Sequence, residues 1–239
     1  GNLSIDRWKH ILQQITSIIN NFFLFQKEDA PENIVKSKTN MYLDKTVDRF
    51  NLFIEQNIIN PNEKLIINNK TYPSAYSILD DIKEAIRTSD IINDDKLCLI
   101  HGDLCFPNTL YDNINDEFKI IDPRGKFGNH IMYGDHLYEW AKIAHSVDGL
   151  YDFIIADKYN IVVNNNTISY NLHTHSIHSQ IKDYFLNDIV DIKHRDKIIL
   201  IQSLLFFSML PLHSNNTNRQ FIMLARTVEL FYNLANKKS

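Results

Sequence analysis

Residues 100–125 constrain the fold more than any other segment, because a polar loop is followed there by two short β-type runs. The loop, 101–108, reads His-Gly-Asp-Leu-Cys-Phe-Pro-Asn. The runs 109–112 and 118–121 flank a polar turn, Asn-Ile-Asn-Asp, and this arrangement is typical of a β-hairpin. A hairpin returns the chain to its starting point, so we expect Asp122, which follows the second run, to lie beside the loop.

The polar residues that this hairpin would bring together are suited to phosphoryl transfer from a nucleotide. Such a transfer needs a carboxylate to accept the proton of the attacking hydroxyl group. It also needs hard oxygen ligands for the magnesium ions that offset the charge of the triphosphate. Asp103, Asn108 and Asp122 supply these groups.

The spacing of these residues resembles that of known kinases. Protein kinases carry H-R-D, four further residues, an Asn, and later the Asp of D-F-G. With Gly102 in place of Arg, the pattern resembles the aminoglycoside phosphotransferase and choline kinase group of small-molecule kinases. The resemblance implies that Asp103 is the catalytic base, that Asn108 and Asp122 bind magnesium, and that His101 braces the catalytic loop.

A second segment extends the resemblance. Relatives follow the metal-binding aspartate with Gly-Asp-Pro-x-x-Asp-Leu-Ala at the start of a helix, and residues 134–141 here read Gly-Asp-His-Leu-Tyr-Glu-Trp-Ala. Asp135 would then be a buried helix cap that supports the catalytic loop. Two residues depart from the family pattern: His136 replaces the proline, and Pro123 stands where many relatives carry an aromatic residue. The Asp-Pro-Arg-Gly form resembles a branch of bacterial proteins of surface-polysaccharide and sugar metabolism.

The resemblance implies an α+β, mainly helical fold with small β-hairpins, like the C-terminal lobe of the kinase fold. We divide this single lobe into residues 1–96, 97–133 and 134–239. The N-terminal lobe should offer several strands, a glycine-rich loop and a strand lysine, but none of the six glycines forms such a loop. We therefore expect that the chain is part of a longer protein with an N-lobe or another N-terminal domain, or that the N-lobe has been lost. In either case its ATP site would be incomplete.

The leading hypothesis is a magnesium-dependent enzyme that moves the γ-phosphate of ATP to a hydroxyl group of a small molecule, such as a sugar, an amino alcohol or an aminoglycoside-like compound. An alternative is a non-catalytic kinase-like lobe that acts as a docking or regulatory module of a larger protein. A third hypothesis is a metal-dependent hydrolase that uses the same carboxylates without a nucleotide.

Four further residues are weaker candidates for binding phosphate or substrate. Arg124 and Lys126 follow the metal-binding aspartate, and a guanidinium group binds phosphate in a bidentate manner. The alternative for Arg124 is an ion pair with Asp135 or another carboxylate. Glu139 would orient a substrate, and His213 would line an acceptor pocket, although a surface loop position is the simpler expectation for His213.

Composition restricts the class of partner. A formal charge of -4 is not that of a nucleic-acid-binding surface, which usually carries a basic excess. Cys98 and Cys105 flank the candidate loop, as reduced thiols of a cytoplasmic protein would. The longest apolar run, 198–210, is too short to cross a membrane and predicts a buried helix.

Apolar periodicity and turn residues predict the remaining elements. Residues 26–40 form a polar loop in this prediction, and Ser4 and Ser74 cap the helices that follow them. We expect helices at about 5–23, 41–56, 74–88, 135–147, 174–187, 191–210 and 217–236, and hairpins at 65–72 and 159–171.

Overall fold

The computed structural model describes residues 3–93 and 96–235, and it is an α+β fold that is mainly helical. The chain divides into two compact units. Over the described residues, the first unit contains 3–38, 96–152 and 174–198, and the second contains 39–93, 153–173 and 199–235.

Helices account for most of the regular structure in the described part of the chain. The α-helices are α1 (Ile5–Phe23), α2 (Pro31–Thr39), α3 (Lys45–Ile54), α4 (Ala75–Thr88), α5 (His136–Val147), α6 (Tyr151–Ile155), α7 (Ser176–Tyr184), α8 (Ile192–Met209) and α9 (Thr217–Ala235). Short π-helical segments cover Asn40–Asp44 and Phe185–Ile189, and 3₁₀ turns cover Phe106–Asn108 and Leu210–His213.

The first unit contains an antiparallel sheet of three short strands. Its order is β1 (Gln26–Lys27), β4 (Leu97–Leu99) and β9 (Tyr133–Gly134). Two hairpins accompany it: β5 (Thr109–Asp112) pairs with β6 (Glu117–Ile120), and β7 (Lys126–Phe127) pairs with β8 (His130–Ile131). The predicted hairpin after the polar loop is therefore confirmed.

The second unit contains a four-stranded sheet built from the two other predicted hairpins. These are β2 (Lys64–Ile67) with β3 (Lys70–Ser74), and β10 (Tyr159–Asn164) with β11 (Thr167–Leu172). Parallel pairing of β11 with β2 joins them, which sequence periodicity did not predict. Asn68 and Asn69 both have positive φ, as a two-residue hairpin turn requires.

Capping residues and apolar spacing explain where the predicted helices begin. The Ser4 hydroxyl accepts a hydrogen bond from the Arg7 amide at the start of α1, and Ser74 caps α4 in the same way through the Ser77 amide. One face of α1 buries Ile11, Leu12, Ile15 and Ile19. Both predicted caps are confirmed.

The prediction of a polar loop over 26–40 is wrong. Residues 31–39 form α2. Pro31 begins this helix and Glu32 lies in its first turn, and both residue types are favourable at a helix N-terminus. Ile34 and Lys38 are buried on this helix. The segment looked like a loop because it carries few apolar residues, and a buried lysine cannot be recognised from periodicity.

A glycine allows the close packing that leads into α5. A Cβ atom at Gly134 would lie 2.6 Å from Cβ of Phe127 and 2.7 Å from Cδ1 of Ile100. Such contacts are closer than packed carbon atoms tolerate, so β9 can approach β7 here only as glycine. This position fixes the path of the chain directly before α5.

Helix α8 begins with charged residues at 193–197 and continues as a mostly apolar segment. Residues 198–208 are all buried, which confirms the predicted buried helix. Within the described residues, 192–213 is the one helical stretch that is long and apolar enough to span a membrane. An 18-residue segment of it has a mean hydropathy of 1.3, and 67% of that segment is buried inside the protein. Core helices of soluble proteins have the same length and composition, so this property does not identify a membrane segment.

Candidate functional site

The imidazole of His101 holds the candidate loop to the hairpin. It is buried, and its Nε2 lies 2.9 Å from the Ile121 carbonyl oxygen, to which it donates. Its Nδ1 accepts a hydrogen bond of 3.3 Å from the amide of Asp103. Burial lowers the pKa of His101, although the hydrogen bond to Ile121 and the nearby carboxylates of Asp103 and Asp122 act to raise it. These contacts are those of a neutral structural histidine.

The residue between His101 and Asp103 has to be glycine. Gly102 has a φ of +79°, a region that side chains disfavour, and a Cβ there would contact Cβ of Arg124 and the amide nitrogen of Gly125 at 3.4 Å. The Gly125 amide also donates to the His101 carbonyl oxygen over 3.0 Å. The segment after the hairpin therefore lies directly against the loop.

The carboxylate of Asp103 is held by two side chains. Its Oδ1 lies 2.7 Å from Nζ of Lys142, and its Oδ2 accepts a 3.1 Å hydrogen bond from Nδ2 of Asn108. The same amide nitrogen donates to the backbone oxygen of Asp103 at 2.8 Å. The side chain of Asp103 remains 37% exposed, so its carboxylate is fixed in direction but open to a small molecule.

Lys142 carries its charge within a mostly buried environment. Burial disfavours the ammonium group, but Tyr138 and the Asp103 carboxylate outweigh burial and raise the pKa of Lys142 above the usual lysine range. A charged lysine of α5 therefore contacts the carboxylate of the candidate base, Asp103.

Glu139, on α5, binds the backbone of the candidate loop. It is 1% exposed, and its two carboxylate oxygens accept hydrogen bonds from the amides of Gly102 at 2.7 Å and His101 at 3.3 Å. The sequence predicted that Glu139 orients a substrate, but the structure buries its carboxylate against the backbone. Burial raises the pKa of Glu139 to about 7, and the two amide hydrogen bonds oppose the rise.

This raised pKa predicts a pH-dependent stability. The ordinary pKa of glutamate is 4.5, so the folded chain binds this proton more tightly than the unfolded chain. The contribution is fully present below about pH 4.5 and is lost as the pH rises through about 7. We expect the free energy of unfolding, relative to that of Glu139→Gln, to fall over this window in urea titrations.

The glutamine variant is the reference because it has nearly the same shape and does not titrate. Every other titrating group is shared by the two proteins, so the difference between their free energies isolates Glu139. A difference that is flat or that rises with pH would mean that Glu139 is ionised in the folded protein across the whole window.

Asp135 begins α5 and is fully buried. Its Oδ1 accepts a hydrogen bond from the Leu137 amide at 3.0 Å, which confirms the predicted helix cap. Its Oδ2 lies 3.4 Å from Nζ of Lys38, and both side chains are 0% exposed. The suggested ion pair between Arg124 and Asp135 is therefore wrong, because Lys38 from α2 takes that place.

The weaker candidates lie in different places. Arg124 and Lys126 are exposed beside the loop, and among the described residues neither forms an ion pair. His213 lies in the second unit, in the 3₁₀ turn after α8, where it is half-buried. Burial and the charge of Arg219 lower the pKa of His213. Roles for these three residues in binding phosphate or substrate stay predictions.

The donor set around the hairpin suits a hard cation. Asn108 uses its amide nitrogen for Asp103, which leaves its amide oxygen for a ligand. The Ile121 amide donates to the Asn108 carbonyl oxygen at 3.0 Å, so the backbone of the exposed Asp122 follows close to that of Asn108. No group of three or more His, Cys, Asp and Glu side chains in metal-binding positions occurs in the described residues. An amide oxygen and a carboxylate agree with Mg²⁺, which keeps several water ligands.

Both cysteines are buried thiols, and they do not form a disulfide. Burial raises the pKa of the Cys105 thiol to about 11, and the Asp103 carboxylate adds to the rise. A thiol with a raised pKa is a poor nucleophile, so Cys105 contributes packing beside the loop and not chemistry.

Two lysines of this region were not recognised from the sequence. A signal existed for Lys142: it lies three residues after Glu139, so the two charged groups share one face of a helix that is otherwise mostly buried. Glu139 itself stands where the resembled motif, Gly-Asp-Pro-x-x-Asp-Leu-Ala, carries its second aspartate. Lys38 offered no such signal, because its partner lies far away in the sequence.

The chain matches no known family model, and comparisons with curated proteins and with solved structures find no match either. The geometry of the loop, the hairpin and α5 is therefore the basis for the function.

Proposed function

We propose that the chain is the catalytic lobe of a magnesium-dependent phosphotransferase that moves the γ-phosphate of ATP to a hydroxyl group of a small molecule. Asp103 accepts the proton of that hydroxyl group. Asn108 and Asp122 are the residues that would hold magnesium, which offsets the negative charge of the phosphates when it is bound. We further propose that the fold is related to the C-terminal lobe of small-molecule kinases.

One observation carries the proposal: the Asp103 side chain is 37% exposed, while the loop that bears it is held by hydrogen bonds to the hairpin and to α5. His101 fastens the loop to the hairpin, and Glu139 binds its backbone amides. A base must be held in position within hydrogen-bond reach of the proton that it abstracts. A loop with a purely structural role does not require an aspartate whose side chain is both fixed in direction and accessible to solvent.

The two partners of Asp103 leave it able to act as a base. An ionised carboxylate has about four acceptor positions on its two oxygens. Lys142 occupies one position on Oδ1 and Asn108 one on Oδ2. The remaining positions can accept the hydroxyl proton, because the Asp103 side chain is 37% exposed.

The exposed cations after the hairpin support a phosphate-bearing substrate. Arg124 follows Asp122 by two residues, and its Cβ atom lies next to Gly102. A guanidinium group at this place would bind a phosphate oxygen pair without moving the loop.

Asp122→Asn tests the metal assignment. The substitution removes an anionic oxygen ligand, so the increase in ATP affinity that Mg²⁺ produces should fall by about tenfold or more. Calorimetric titration of ATP with and without Mg²⁺ measures this increase directly. The wild-type affinity is itself expected to be weak.

Glu117→Gln is the matched control, because Glu117 is an exposed carboxylate on the same hairpin and, among the described residues, forms an ion pair only with Lys119 at the surface. Its Mg²⁺ dependence should equal that of the wild type. Equal Mg²⁺ dependence in the Asp122 variant and the wild type would remove the metal assignment.

A further inference from the structure

A cavity of about 490 Å³ opens in the first unit, away from the candidate loop. Its walls come from the C-terminal half of α1, the first turns of α5, residues 189–198 and Lys96. All of these residues lie in the described part of the chain, and none belongs to the loop and hairpin 101–125. Sites for small ligands usually have volumes of about 300 to 1,000 Å³.

Aromatic rings form one side of the cavity. The rings of Phe23 and His136 lie 4.9 Å apart, and those of His136 and His194 meet edge to face at 5.7 Å. Trp140, one turn after His136 on α5, also lines the cavity and remains partly exposed. Flat apolar molecules stack favourably on such rings.

Among the described residues that line the cavity, the charged groups are mostly positive. Lys96 and Lys193 contribute two ammonium groups, and Asp191 contributes one carboxylate. The carboxylate is already engaged, because its Oδ1 accepts a 3.0 Å hydrogen bond from the Lys193 amide at the start of α8. The ion pair between the Lys193 and Asp191 side chains spans 3.0 Å at an exposed position. Exposed pairs of this kind are weak, so Lys193 can turn to a bound anion at small cost.

The cavity and the candidate loop use different faces of α5. His136 and Trp140 are four residues apart and share the face that lines the cavity. Glu139 and Lys142 share the face that contacts the loop. With about 3.6 residues per turn and a diameter near 10 Å, a helix keeps two such faces separate. A ligand in the cavity would therefore not contact Asp103 through this wall.

We propose that this cavity is a second binding site, for a small organic anion with a flat apolar body, such as an aromatic phosphate or carboxylate. The body stacks against Trp140 and Phe23, and the anionic group faces Lys96 and Lys193. The two imidazoles offer further hydrogen-bond donors. This site does not depend on the proposed phosphotransferase activity.

Direct binding tests the proposal on the whole chain. Trp8→Phe leaves Trp140 as the one tryptophan, because the chain contains two. Phenyl phosphate, benzoate, phenol and inorganic phosphate are titrated into this protein, with calorimetry for affinity and Trp140 fluorescence for location. Phenyl phosphate, benzoate or both should give saturable changes, with affinities about tenfold or more above those of phenol and inorganic phosphate. If only one of the two anions binds, the result identifies the ligand as a phosphate or as a carboxylate.

Charge removal completes the test. Replacing Lys96 and Lys193 together by methionine keeps the side-chain stems and should weaken binding of the anion by about threefold to tenfold, without changing that of phenol. The matched control replaces Lys36 and Lys158, which are equally exposed but do not line the cavity. Affinities for both anions no higher than that for phenol, an equal loss in the control, or no saturable change with either anion would overturn the proposal.

Discussion

Asp103→Asn is expected to reduce phosphoryl transfer by about 10²- to 10⁴-fold, as is typical when general base assistance is lost. Asparagine keeps the size of the side chain and can still bond to Asn108, but it cannot take the proton of the acceptor hydroxyl. The measurement is the rate of transfer from ATP to a panel of small alcohols, sugars and amino alcohols in the presence of Mg²⁺.

The structure adds a second consequence for this variant. Lys142 loses its anionic partner, and a mostly buried cation without one destabilises a fold. Lys142→Met therefore serves as the control: it also breaks the ion pair but leaves the base in place. Activity in Asp103→Asn should be well below that in Lys142→Met when both are measured at temperatures where circular dichroism shows them folded.

The outcome separates the proposed enzyme from the docking module. Full activity in Asp103→Asn would refute the base assignment. If the variant lost a complex with a partner domain while turnover stayed the same, the non-catalytic lobe would be the better account. Equal losses in the two variants would assign the effect to the ion pair and not to proton transfer.

Local signals in the sequence predicted most elements of the fold. Ser4 and Ser74 marked the starts of α1 and α4, because a hydroxyl at the N-cap satisfies a free amide. Asn68 and Asn69 marked a hairpin turn, because asparagine tolerates positive φ. The spacing from His101 to Asp122 likewise depends on one loop and one hairpin, so it could be followed residue by residue.

Contacts between distant segments could not be predicted in this way. The parallel pairing of β11 with β2 joins residues about 100 positions apart, and neither strand specifies its partner by pattern alone. Helix α2 was missed for the same reason: its sequence has few apolar residues, and Lys38 is buried only because Asp135 lies opposite it. Tertiary contacts therefore override the weak local preference of this segment.

Lys38→Met is expected to destabilise the protein by about 3 to 5 kcal/mol, the cost of leaving a buried charge without its partner. Asp135 is fully buried, so water cannot compensate the lost ammonium group. The effect should reach the candidate site, because Asp135 caps the helix that carries Glu139 and Lys142. Urea unfolding followed by circular dichroism measures the loss.

Two comparisons make the cause specific. Lys36→Met changes an exposed lysine of the same helix and should alter the free energy of unfolding by less than about 0.5 kcal/mol. Adding Asp135→Asn to the Lys38 variant should recover much of the lost stability, because asparagine still caps α5 but carries no charge. A double variant no more stable than Lys38→Met would mean that the lysine stabilises the fold by packing and not by pairing with Asp135. In that case the loop would depend on Asp135 only as a helix cap, and substitutions at Lys38 would leave phosphoryl transfer unchanged wherever the protein is folded.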